Sequence, residues 1–572
     1  MAAEPSPGQI SYEEALAQVT APGQLFEVGP MEVAGREMPG FVNAPHTLKA
    51  LFDLARGHGD KTFLVYEDER WSFDETFARV DALASGLVER FGVEPGDRVA
   101  IAMRNLPEWV VSFAAVTSIG AVSVSFNAWW VTEEIEYALD DAAPKVVIAD
   151  EQRVERAAAA CADRGITLLG VRCGALPDGV VAWSDALDDG APMPEVDLTS
   201  DMDATILYTS GTTGHPKGAV SSSGAIMQAL AGFSCRAMAE IARKASTPAA
   251  TDDGADRPKR RPPVFILVVP LFHVTGCVPV MLGSFLGGYR LVMMHRWEPQ
   301  RALELIEREQ VTQFVGVPTQ SWDLLECPEF ARYDTSSLEK IGGGGAPAPP
   351  KLVRRVEDSF ASGGPTIGYG MTETNAYGPQ NTGDDYLAHP TSTGRGTPIL
   401  SLEVRDVDGG AVPAGELGEI WMGGPHLIRG YWNRPEATAE TIVDGWLRTG
   451  DLGRLDDDGF LYIEDRAKDM VLRGGENVYC AEVEAAVYEH PAVYEAAVYG
   501  LPHERLGEEV VATIRLKEGE SLDGPGLRSW LSEHLAAFKI PSRMRFTTEE
   551  LPRNASGKML KRQMRDEDLD SY

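Results

Sequence analysis

The residues best suited to chemistry lie in one short stretch, 208–219, directly after a strand-like run at 204–208. Hydroxyl side chains, glycines and one lysine are concentrated there, at Thr209, Ser210, Gly211, Thr212, Thr213, Gly214 and Lys217. Glycines let the backbone approach a ligand, and free N–H groups, hydroxyls and an ammonium bind polyphosphate oxygens. A Walker A loop needs Ser or Thr directly after its lysine, whereas Gly218 follows Lys217 here. The stretch therefore predicts polyphosphate binding of another kind, in preference to an ordinary surface turn.

Two further loops combine a carboxylate with flexible backbone. The loop 368–374 contains Gly368, Tyr369, Gly370, Met371, Thr372 and Glu373. An aromatic ring beside close backbone can hold a purine, and the Glu373 carboxylate is an oxygen ligand suited to Mg²⁺. In the second loop, Asp451 lies between glycines and can accept both hydrogens of a ribose diol. Taken singly, the first loop is also typical of a loop that ends in a helix cap, and the second is also typical of an aspartate in a β-turn.

Two charged stretches lie nearer the C-terminal end. Residues 465–478 combine charged side chains with the pair Gly474 and Gly475, where the composition of the chain changes. This pattern is compatible with a hinge beside a backbone-lined channel, or with a salt-bridged linker. Lys558 lies in a glycine-containing turn, where a single lysine is ordinarily solvated.

Length, charge and cysteine usage limit the classes of protein to which the chain can belong. A chain of 572 residues is too long for one core and predicts at least two domains. The net charge of −34 argues against a nucleic-acid partner, because phosphate backbones need a cationic surface. The six cysteines lack metal-ligand spacing and are expected as isolated small hydrophobic residues in a reducing compartment. The N-terminal residues lack the features of a signal peptide, so we predict a cytoplasmic protein.

The elements that must position these residues alternate between strand and helix. A capping box at Ser72 and Glu75 opens a helix. Strand patterns at 97–103, 121–125, 145–149, 264–269 and 312–316 alternate with helical patterns at 107–117, 132–139, 222–238 and 299–309. This alternation predicts an α/β fold with mostly parallel sheets covered by helices. The uncharged runs 109–131 and 264–289 are interpreted as parts of this buried core and not as membrane spans.

The ends of the chain follow other patterns. From Ser401 onward, short alternating strands predict a small β-rich subdomain. A compact α+β tail follows, so we predict a large N-terminal domain at 1–466 and a small mobile C-terminal domain at 467–572. Residues 1–45 are rich in Pro, Gly and Glu and are expected as an irregular surface segment. Residues 245–263 are expected as a polar, mobile loop.

Together, and in this order, the motifs resemble the adenylate-forming superfamily, in particular bacterial fatty acyl-CoA synthetases. The resemblance covers about residues 51–561. It implies that the protein activates a carboxylic acid with ATP and Mg²⁺ to give acyl-AMP and pyrophosphate. It further implies transfer of the acyl group to the thiol of CoA, with AMP released. A medium- or long-chain fatty acid is the implied substrate, and Phe272, Val274, Cys277, Phe314, Val315 and Trp322 are candidates for the pocket or for the core.

The resemblance also implies a role for each motif. Lys217, the loop hydroxyls and Mg²⁺ at Glu373 would neutralise the phosphates. Adenine would be bound by the segments containing Gly344, Gly345, Ala346, Pro347 and Tyr369, with Asp451 and Arg466 at the ribose. Lys558 would bridge the acid and the α-phosphate. Lys468 matches the hinge, and Gly474 and Gly475 would line the pantetheine channel after the small domain rotates.

The sequence departs from the family pattern at two positions and leaves several alternatives. Ala481 stands where many relatives have proline, and Gly342–Gly345 replace a more usual Ser-Gly-Ala-Ala, which puts chain-length inference in doubt. His273 would lie beside the acid carboxylate, or is a satisfied histidine at a strand end. The main alternative function is an acyl-AMP ligase that passes the acyl group to a carrier-protein thiol. Contact with a membrane surface and association into a homodimer are left open.

Overall fold

The computed structural model describes residues 10–209, 216–246, 262–360, 363–466, 469–473, 476–555 and 557–570. Its α-helices are α1 Tyr12–Val19, α2 Leu48–Ala55, α3 Phe73–Glu89, α4 Pro107–Ser118, α5 Thr132–Ala142, α6 Glu151–Asp163, α7 Ser223–Ser246, α8 Gly283–Gly287, α9 Pro299–Glu309, α10 Pro318–Glu326, α11 Pro350–Ser359, α12 Gly383–Ala388, α13 Pro435–Thr441, α14 Cys480–Tyr488, α15 Gly524–Ser532 and α16 Lys561–Asp570. Single helical turns lie at Arg56–His58, Trp183–Ala186, Phe330–Arg332 and Thr372–Thr374, and a π-helix lies at Gly276–Leu282.

The strands belong to five sheets. In chain order they are β1 Val28–Val33, β2 Arg36–Phe41, β3 Thr62–Tyr66, β4 Glu69–Ser72, β5 Arg98–Ala102, β6 Val122–Ser125, β7 Val146–Asp150, β8 Thr167–Val171, β9 Val181–Ala182, β10 Asp203–Thr209, β11 Lys217–Ser222, β12 Val264–Leu267, β13 Arg290–Met293, β14 Gln313–Gly316, β15 Lys340–Gly344, β16 Gly364–Gly368, β17 Gln380–Thr382, β18 Ser401–Arg405, β19 Gly418–Gly423, β20 Gly430–Tyr431, β21 Ile442–Val443, β22 Trp446–Leu455, β23 Leu461–Arg466, β24 Val471–Arg473, β25 Glu476–Val478, β26 Val493–His503, β27 Gly507–Leu516 and β28 Arg543–Thr547.

Two large, mostly parallel sheets confirm the predicted α/β fold. The first has the order β20-β11-β10-β6-β5-β7-β8-β9, with an antiparallel edge formed by β11 and β20. The second has the order β17-β16-β15-β14-β12-β13-β3-β4, with parallel pairs from β16 to β3. Helices cover both sheets. The first uncharged run supplies the fully buried elements α4 and β6, and the second supplies the largely buried β12 and the π-helix. Neither run is a membrane span, as the sequence predicted.

Local sequence signals account for several helix boundaries. At α3, Ser72 Oγ accepts from the Glu75 N–H at 3.1 Å, while the Ser72 N–H donates to the Glu75 carboxylate at 2.8 Å. This is the predicted capping box, and it satisfies two donors that the first turn would otherwise leave unpaired. Helix α9 has the predicted bounds and begins at Pro299, where a missing N–H costs nothing.

The C-terminal part of the chain changes architecture as predicted. Strands β18, β19, β21, β22 and β23 form the β-rich sheet that begins at Ser401. Strands β24 to β28 then form a separate mixed sheet with α14 and α15. This last unit has its own core, in which Val471, Val483, Ala512 and Leu527 are fully buried.

The N-terminal arm, residues 10–47, corrects one expectation. It is not irregular, because it contains α1 and the antiparallel hairpin of β1 and β2. The hairpin turns at Ala34 and Gly35, both of which have positive φ. α1 packs on α7 through a small cluster that contains Tyr12, Ala15 and Ala239. The arm is therefore a packed layer on the large sheets.

Candidate active site

The candidate site begins at the carboxyl edge of the second sheet, where parallel strands end side by side. Gly342 and Gly343 allow the unusually close approach of these strands. A Cβ on Gly342 would lie 1.8 Å from the Thr366 carbonyl oxygen, and one on Gly343 would lie 1.9 Å from the Gly316 carbonyl oxygen. Glycine is therefore needed at these positions because the neighbouring backbone leaves no room for a side chain. The same run brings Gly344, Gly345, Ala346 and Pro347 to the strand ends.

The aromatic ring and the carboxylate predicted from two separate loops are in direct contact. Tyr369, which follows β16, donates its hydroxyl hydrogen to Asp451 Oδ2 at 2.6 Å. Asp451 lies in β22 and is 5% exposed, and its N–H donates to Thr449 Oγ1 at 3.1 Å. Arg466 pairs with Asp451 in the backbone register of β22 and β23. The contact joins the second sheet to the β-rich sheet at one corner of the site.

A second corner contains Lys217 and Glu373, joined by a tyrosine that the sequence did not reveal. Tyr431 donates its hydroxyl hydrogen to Glu373 Oε1 at 2.6 Å, and Lys217 Nζ lies 5.1 Å from the centre of its ring. Burial, and then the Glu373 carboxylate, raise the pKa of Tyr431. Strand β20 places the tyrosine there, because Tyr431 pairs with Ala219 of β11. The local sequence of β11 and β20 does not predict that these two strands pair.

The phosphate-loop residues lie only partly within the described chain. Strands β10 and β11 flank the loop and pair antiparallel up to Thr209 and Lys217. Ser210, Gly211, Thr212, Thr213 and Gly214 lie outside the described residues, as do Lys468, Gly474, Gly475 and most of the 245–263 segment. Met371 and Thr372 lie in the turn before Glu373, and the Met371 N–H donates to Thr374 Oγ1 at 3.1 Å.

A histidine from the middle of the chain and a lysine from its C-terminal part form the third corner. Burial, with a smaller contribution from the Lys558 ammonium, lowers the pKa of His273 to about 4. The ring is therefore neutral at pH 7. Because the Thr275 N–H donates to His273 Nδ1 at 3.3 Å, the hydrogen of the neutral ring lies on Nε2. His273 can thus donate one hydrogen bond into the site without contributing charge.

The turn that carries Lys558 is held by charged contacts within the last unit. Arg553 donates to the Gly557 carbonyl at 2.7 Å and pairs with Glu495, which is 2% exposed. The Lys558 N–H donates to Asn554 Oδ1 at 2.9 Å. A Cβ on Gly557 would lie 2.9 Å from Val317 Cγ2, so the turn packs directly against the start of α10. These contacts place Lys558 against the large sheets.

A second contact joins the last unit to α10. Asp323 accepts from the Tyr494 hydroxyl at 2.7 Å and from Trp297 Nε1 at 2.8 Å. Burial raises the pKa of Asp323, and the bonds from Tyr494 and Trp297 oppose this shift. The Asp323 carboxylate therefore links β26, which contains Tyr494, to α10 and to the segment that contains Trp297.

One elongated cavity of about 520 Å³ runs from the nucleotide corner into the large sheets. Gly344, Gly345, Tyr369 and Gly370 line one end, and Phe314 and Val315 lie in its wall. Val274 and Cys277 are buried in the main core. Trp322 does not line this cavity: it packs against the main core and lies on a separate small pocket with Lys351 and Tyr494. Its ring also packs under Arg355 of α11.

Two further properties concern the described ranges as a whole. The helices there lack the length and apolar character needed to cross a membrane. Within the same ranges, no three side chains of His, Cys, Asp or Glu cluster as metal ligands. All six cysteines are free thiols, as predicted.

Comparison with known proteins gives a consistent result. The AMP-binding enzyme family matches residues 51–432, and the AMP-binding enzyme C-terminal domain matches residues 482–558. The chain is 36% identical over 499 residues to a feruloyl-CoA synthase of Amycolatopsis sp, covering 86% of this chain and 93% of the relative. It is 34% identical over 505 residues to the long-chain-fatty-acid–CoA ligase FadD13 of Mycobacterium tuberculosis, with the same coverages.

Solved structures agree with this relationship. The o-succinylbenzoate CoA synthetase of Bacillus subtilis, in complex with its acyl-adenylate intermediate, superposes with a TM-score of 0.74 at 29% identity. That similarity covers 90% of this chain and 97% of the other. ATP-bound MatB from Rhodopseudomonas palustris superposes with a TM-score of 0.76 at 30% identity, covering 91% and 99%.

Proposed function

The chain belongs to the AMP-binding enzyme family, and we propose that it is an ATP-dependent acid–CoA ligase for apolar, medium- or long-chain carboxylic acids. The observation that carries the proposal is the pairing of residues from distant motifs, with Tyr369 of one pair lining the cavity. Asp451 and Tyr369 form one corner, Glu373 and Lys217 another, and the Lys558 ammonium is near enough to His273 to lower its pKa. The relatives act on feruloyl, succinylbenzoyl and fatty acyl groups, so the choice of an apolar acid rests on the cavity of this chain.

In the first half-reaction, a carboxylate oxygen of the acid attacks the α-phosphorus of ATP while the bond to pyrophosphate breaks. The obstacle is repulsion between the acid and the triphosphate. The ammonium of Lys558 would lie between the acid and the α-phosphate, and Lys217 would contact the phosphates that leave. His273, neutral and with its hydrogen on Nε2, would donate to the acid without holding it as an ion pair.

The nucleotide would be fixed by the corner that contains Tyr369 and Asp451. The ring of Tyr369 offers a flat face for adenine, while its hydroxyl orients the Asp451 carboxylate at 2.6 Å. The oriented carboxylate would accept both ribose hydroxyl hydrogens. This corner would hold the α-phosphate in line for attack, which is where most of the rate gain from positioning arises.

Mg²⁺ fits the corner that contains Glu373. No cluster of three protein ligands is present in the described ranges, and Mg²⁺ is commonly held by one or two carboxylates together with substrate phosphates. Glu373 meets this requirement, and Tyr431 orients it through Oε1. When bound, the ion would offset negative charge on the leaving pyrophosphate.

In the second half-reaction, the sulfur of CoA attacks the acyl carbon and AMP leaves. We propose that the last unit, from residue 467, rotates between the two steps and withdraws Lys558. Lys468 would act as the hinge, and Gly474 and Gly475 would line the thiol channel. Arg466 would contact the ribose beside Asp451.

The test of the function is a panel of carboxylic acids of increasing length and ring content, incubated with ATP and CoA. Mass detection of thioesters and of AMP should show acyl-CoA formation that is strongest for apolar acids. AMP release with no CoA thioester for any acid would contradict the proposal and favour a carrier-protein acceptor. Preference for short or charged acids would contradict the apolar assignment.

The bond between Tyr494 and Asp323 gives a prediction about the two half-reactions. Tyr494→Phe removes the bond between the last unit and α10 and leaves the Trp297 bond in place. A hydrogen bond to a carboxylate contributes about 1.5 kcal/mol or more, so we expect acyl-adenylate formation to slow by about tenfold. Thioester formation from supplied acyl-AMP should be unchanged or faster, because it uses the other arrangement.

The matched control is Tyr499→Phe. Tyr499 donates to Asp568 at 2.5 Å, but both residues lie in the last unit. This variant should lower the melting temperature and leave the ratio of the two half-reactions unchanged. Equal effects of the two variants on that ratio would show that the Tyr494 contact does not set the arrangement of the units.

A further inference from the structure

We propose that the N-terminal arm forms the far wall of the acid pocket and sets the length of acid that the enzyme accepts. The inference rests on the proposed function and names its substrate class as acids with a long, unbranched apolar tail. The arm, residues 10–47, precedes residue 51, where the family similarity begins. The family model therefore does not include the arm.

The arm is fastened along α7 from one end of the helix to the other. The Ile10 N–H donates to Ser246 Oγ at 3.0 Å, near the C-terminal end of α7. Near the opposite end, Gln228 makes two bonds to the backbone of Phe41, accepting from its N–H at 2.8 Å and donating to its carbonyl at 3.1 Å. Gln228 is 4% exposed. The arm is thus built into the large domain and is not a loose terminal segment.

The cavity follows the same helix. On this side its wall includes Phe233, Arg236 and Glu240 together with a stripe formed by Met227, Leu230, Ala231, Ser234, Ala237, Met238 and Ile241. Spacings of three, four and seven residues place these side chains on one face of α7. At 1.5 Å of rise per residue, the face from Met227 to Ile241 is about 21 Å long. The cavity is therefore long compared with a single aromatic ring.

The arm supplies the wall that faces α7. Leu25, Phe26, Phe41, Asn43, Ala44 and Pro45 line the cavity there. Leu25 is 69% exposed and Met238 is 43% exposed, so the cavity reaches the surface between the arm and the helix. Tyr369, of the nucleotide corner, lines the same cavity. An acid activated at that corner would direct its tail along α7 toward the arm.

The chemistry of the wall selects the occupant. Each buried methylene increases binding affinity about fourfold. The affinity for a tail that continues past the small residues Ala231 and Ala237 therefore increases with every carbon. The wall contains one buried cation, Arg236, which donates to the Gln380 carbonyl at 2.6 Å. Glu240, one turn along α7, also lines the cavity and pairs with Arg243. Most of the other side chains that α7 contributes to the wall are apolar, which favours an apolar tail.

The test is Ala44→Leu, which adds bulk to the arm side of the cavity. With ATP and CoA present, kcat/KM for palmitate should fall by about tenfold, while the value for hexanoate stays within about twofold, because overpacking acts only where the tail reaches. The matched control is Ala17→Leu on α1, an exposed position that does not line the cavity. The control should leave both acids unchanged.

A second variant keeps the test valid if Ala44→Leu folds poorly. Met238→Trp changes an exposed side chain where the cavity reaches the surface and should lower kcat/KM only for acids whose tail is long enough to reach it. Its control is Leu54→Trp, which is 62% exposed on α2 and away from the cavity. Equal loss for short and long acids in both cavity variants would overturn the inference. So would a wild-type preference for hexanoate, for a single-ring acid or for a dicarboxylic acid over palmitate.

These outcomes separate the two proposals. If the wild-type enzyme forms no thioester from any acid in the panel, the proposed function fails. If it forms long-chain thioesters but the cavity variants do not change the dependence on chain length, only the role of the arm fails.

Discussion

Lys558→Ala is expected to lower the rate of acyl-adenylate formation by about 100- to 1,000-fold, the usual loss when one transition-state charge contact is removed. The measurement is exchange of labelled pyrophosphate into ATP in the presence of the acid. The ammonium is the group that we propose to lie between two like-charged reactants. Its removal leaves their repulsion unopposed at the point where the new P–O bond forms.

The informative part of this result is what the variant retains. When acyl-AMP is supplied, thioester formation with CoA should remain within a few-fold of wild type, because Lys558 is proposed to be withdrawn in that step. The split is expected because the turn at 553–558 is held by Glu495 and Arg553 within its own unit. The substitution should therefore leave the fold of that unit intact.

Lys539→Ala is the matched control for this prediction. Lys539 pairs with Glu482 at 2.6 Å in the same unit, away from the Lys558 turn. An exposed pair of this kind contributes at most about 1 kcal/mol to stability, so both half-reactions should stay near wild type. Equal loss of both half-reactions in Lys558→Ala would contradict the two-arrangement mechanism. Normal pyrophosphate exchange would contradict the role of Lys558 itself.

The elements that the sequence predicted well are those with strong local patterns. α3 has a capping box and a buried face, and α9 has proline at its first position. β5, β6, β7 and β14 are short strands in parallel pairs, and their mostly uncharged residues indicate their burial directly. In each case a few neighbouring residues contain the physical reason for the element.

The N-terminal arm shows why other elements could not be predicted. β1 and β2 contain Pro30 and Pro39, which face each other in the hairpin and disrupt any alternating pattern. The hairpin is stabilised by residues far along the chain, above all by the two bonds between Gln228 and Phe41. Composition alone therefore indicated an irregular segment, although the contacts that order it lie on α7.

The residues of the candidate site divide in the same way, into those that local sequence predicted and those that only distant contacts bring to the site. Lys217, Glu373, Tyr369 and Asp451 were identified because each lies in a motif with unusual local composition. Tyr431 was missed because it is an ordinary residue of a two-residue strand, and only sheet pairing brings it to Glu373. The length of the acid pocket was also beyond the sequence, since it depends on one face of α7 and a separate layer that covers it.

Asp451→Ala is expected to weaken ATP binding by about 100-fold, because it removes a carboxylate proposed to accept two hydrogen bonds, each worth about 1.5 kcal/mol or more. Equilibrium binding of ATP measures the effect directly. Asp451 is 5% exposed, and it accepts from Tyr369 at 2.6 Å, so the variant also leaves the Tyr369 hydroxyl without this acceptor. Tyr369→Phe measures that secondary effect separately and should weaken binding far less.

A deoxynucleotide comparison assigns the loss to the ribose. The wild-type enzyme should bind 2′-deoxyATP or 3′-deoxyATP about tenfold more weakly than ATP, since each lacks one of the two donors. In Asp451→Ala this difference should disappear, because the acceptor and the missing donor belong to one interaction and their effects are not additive. A full deoxynucleotide penalty in the variant would contradict the ribose role, as would an unchanged affinity for ATP. A melting temperature close to wild type would show that the loss arises at the site and not from the fold.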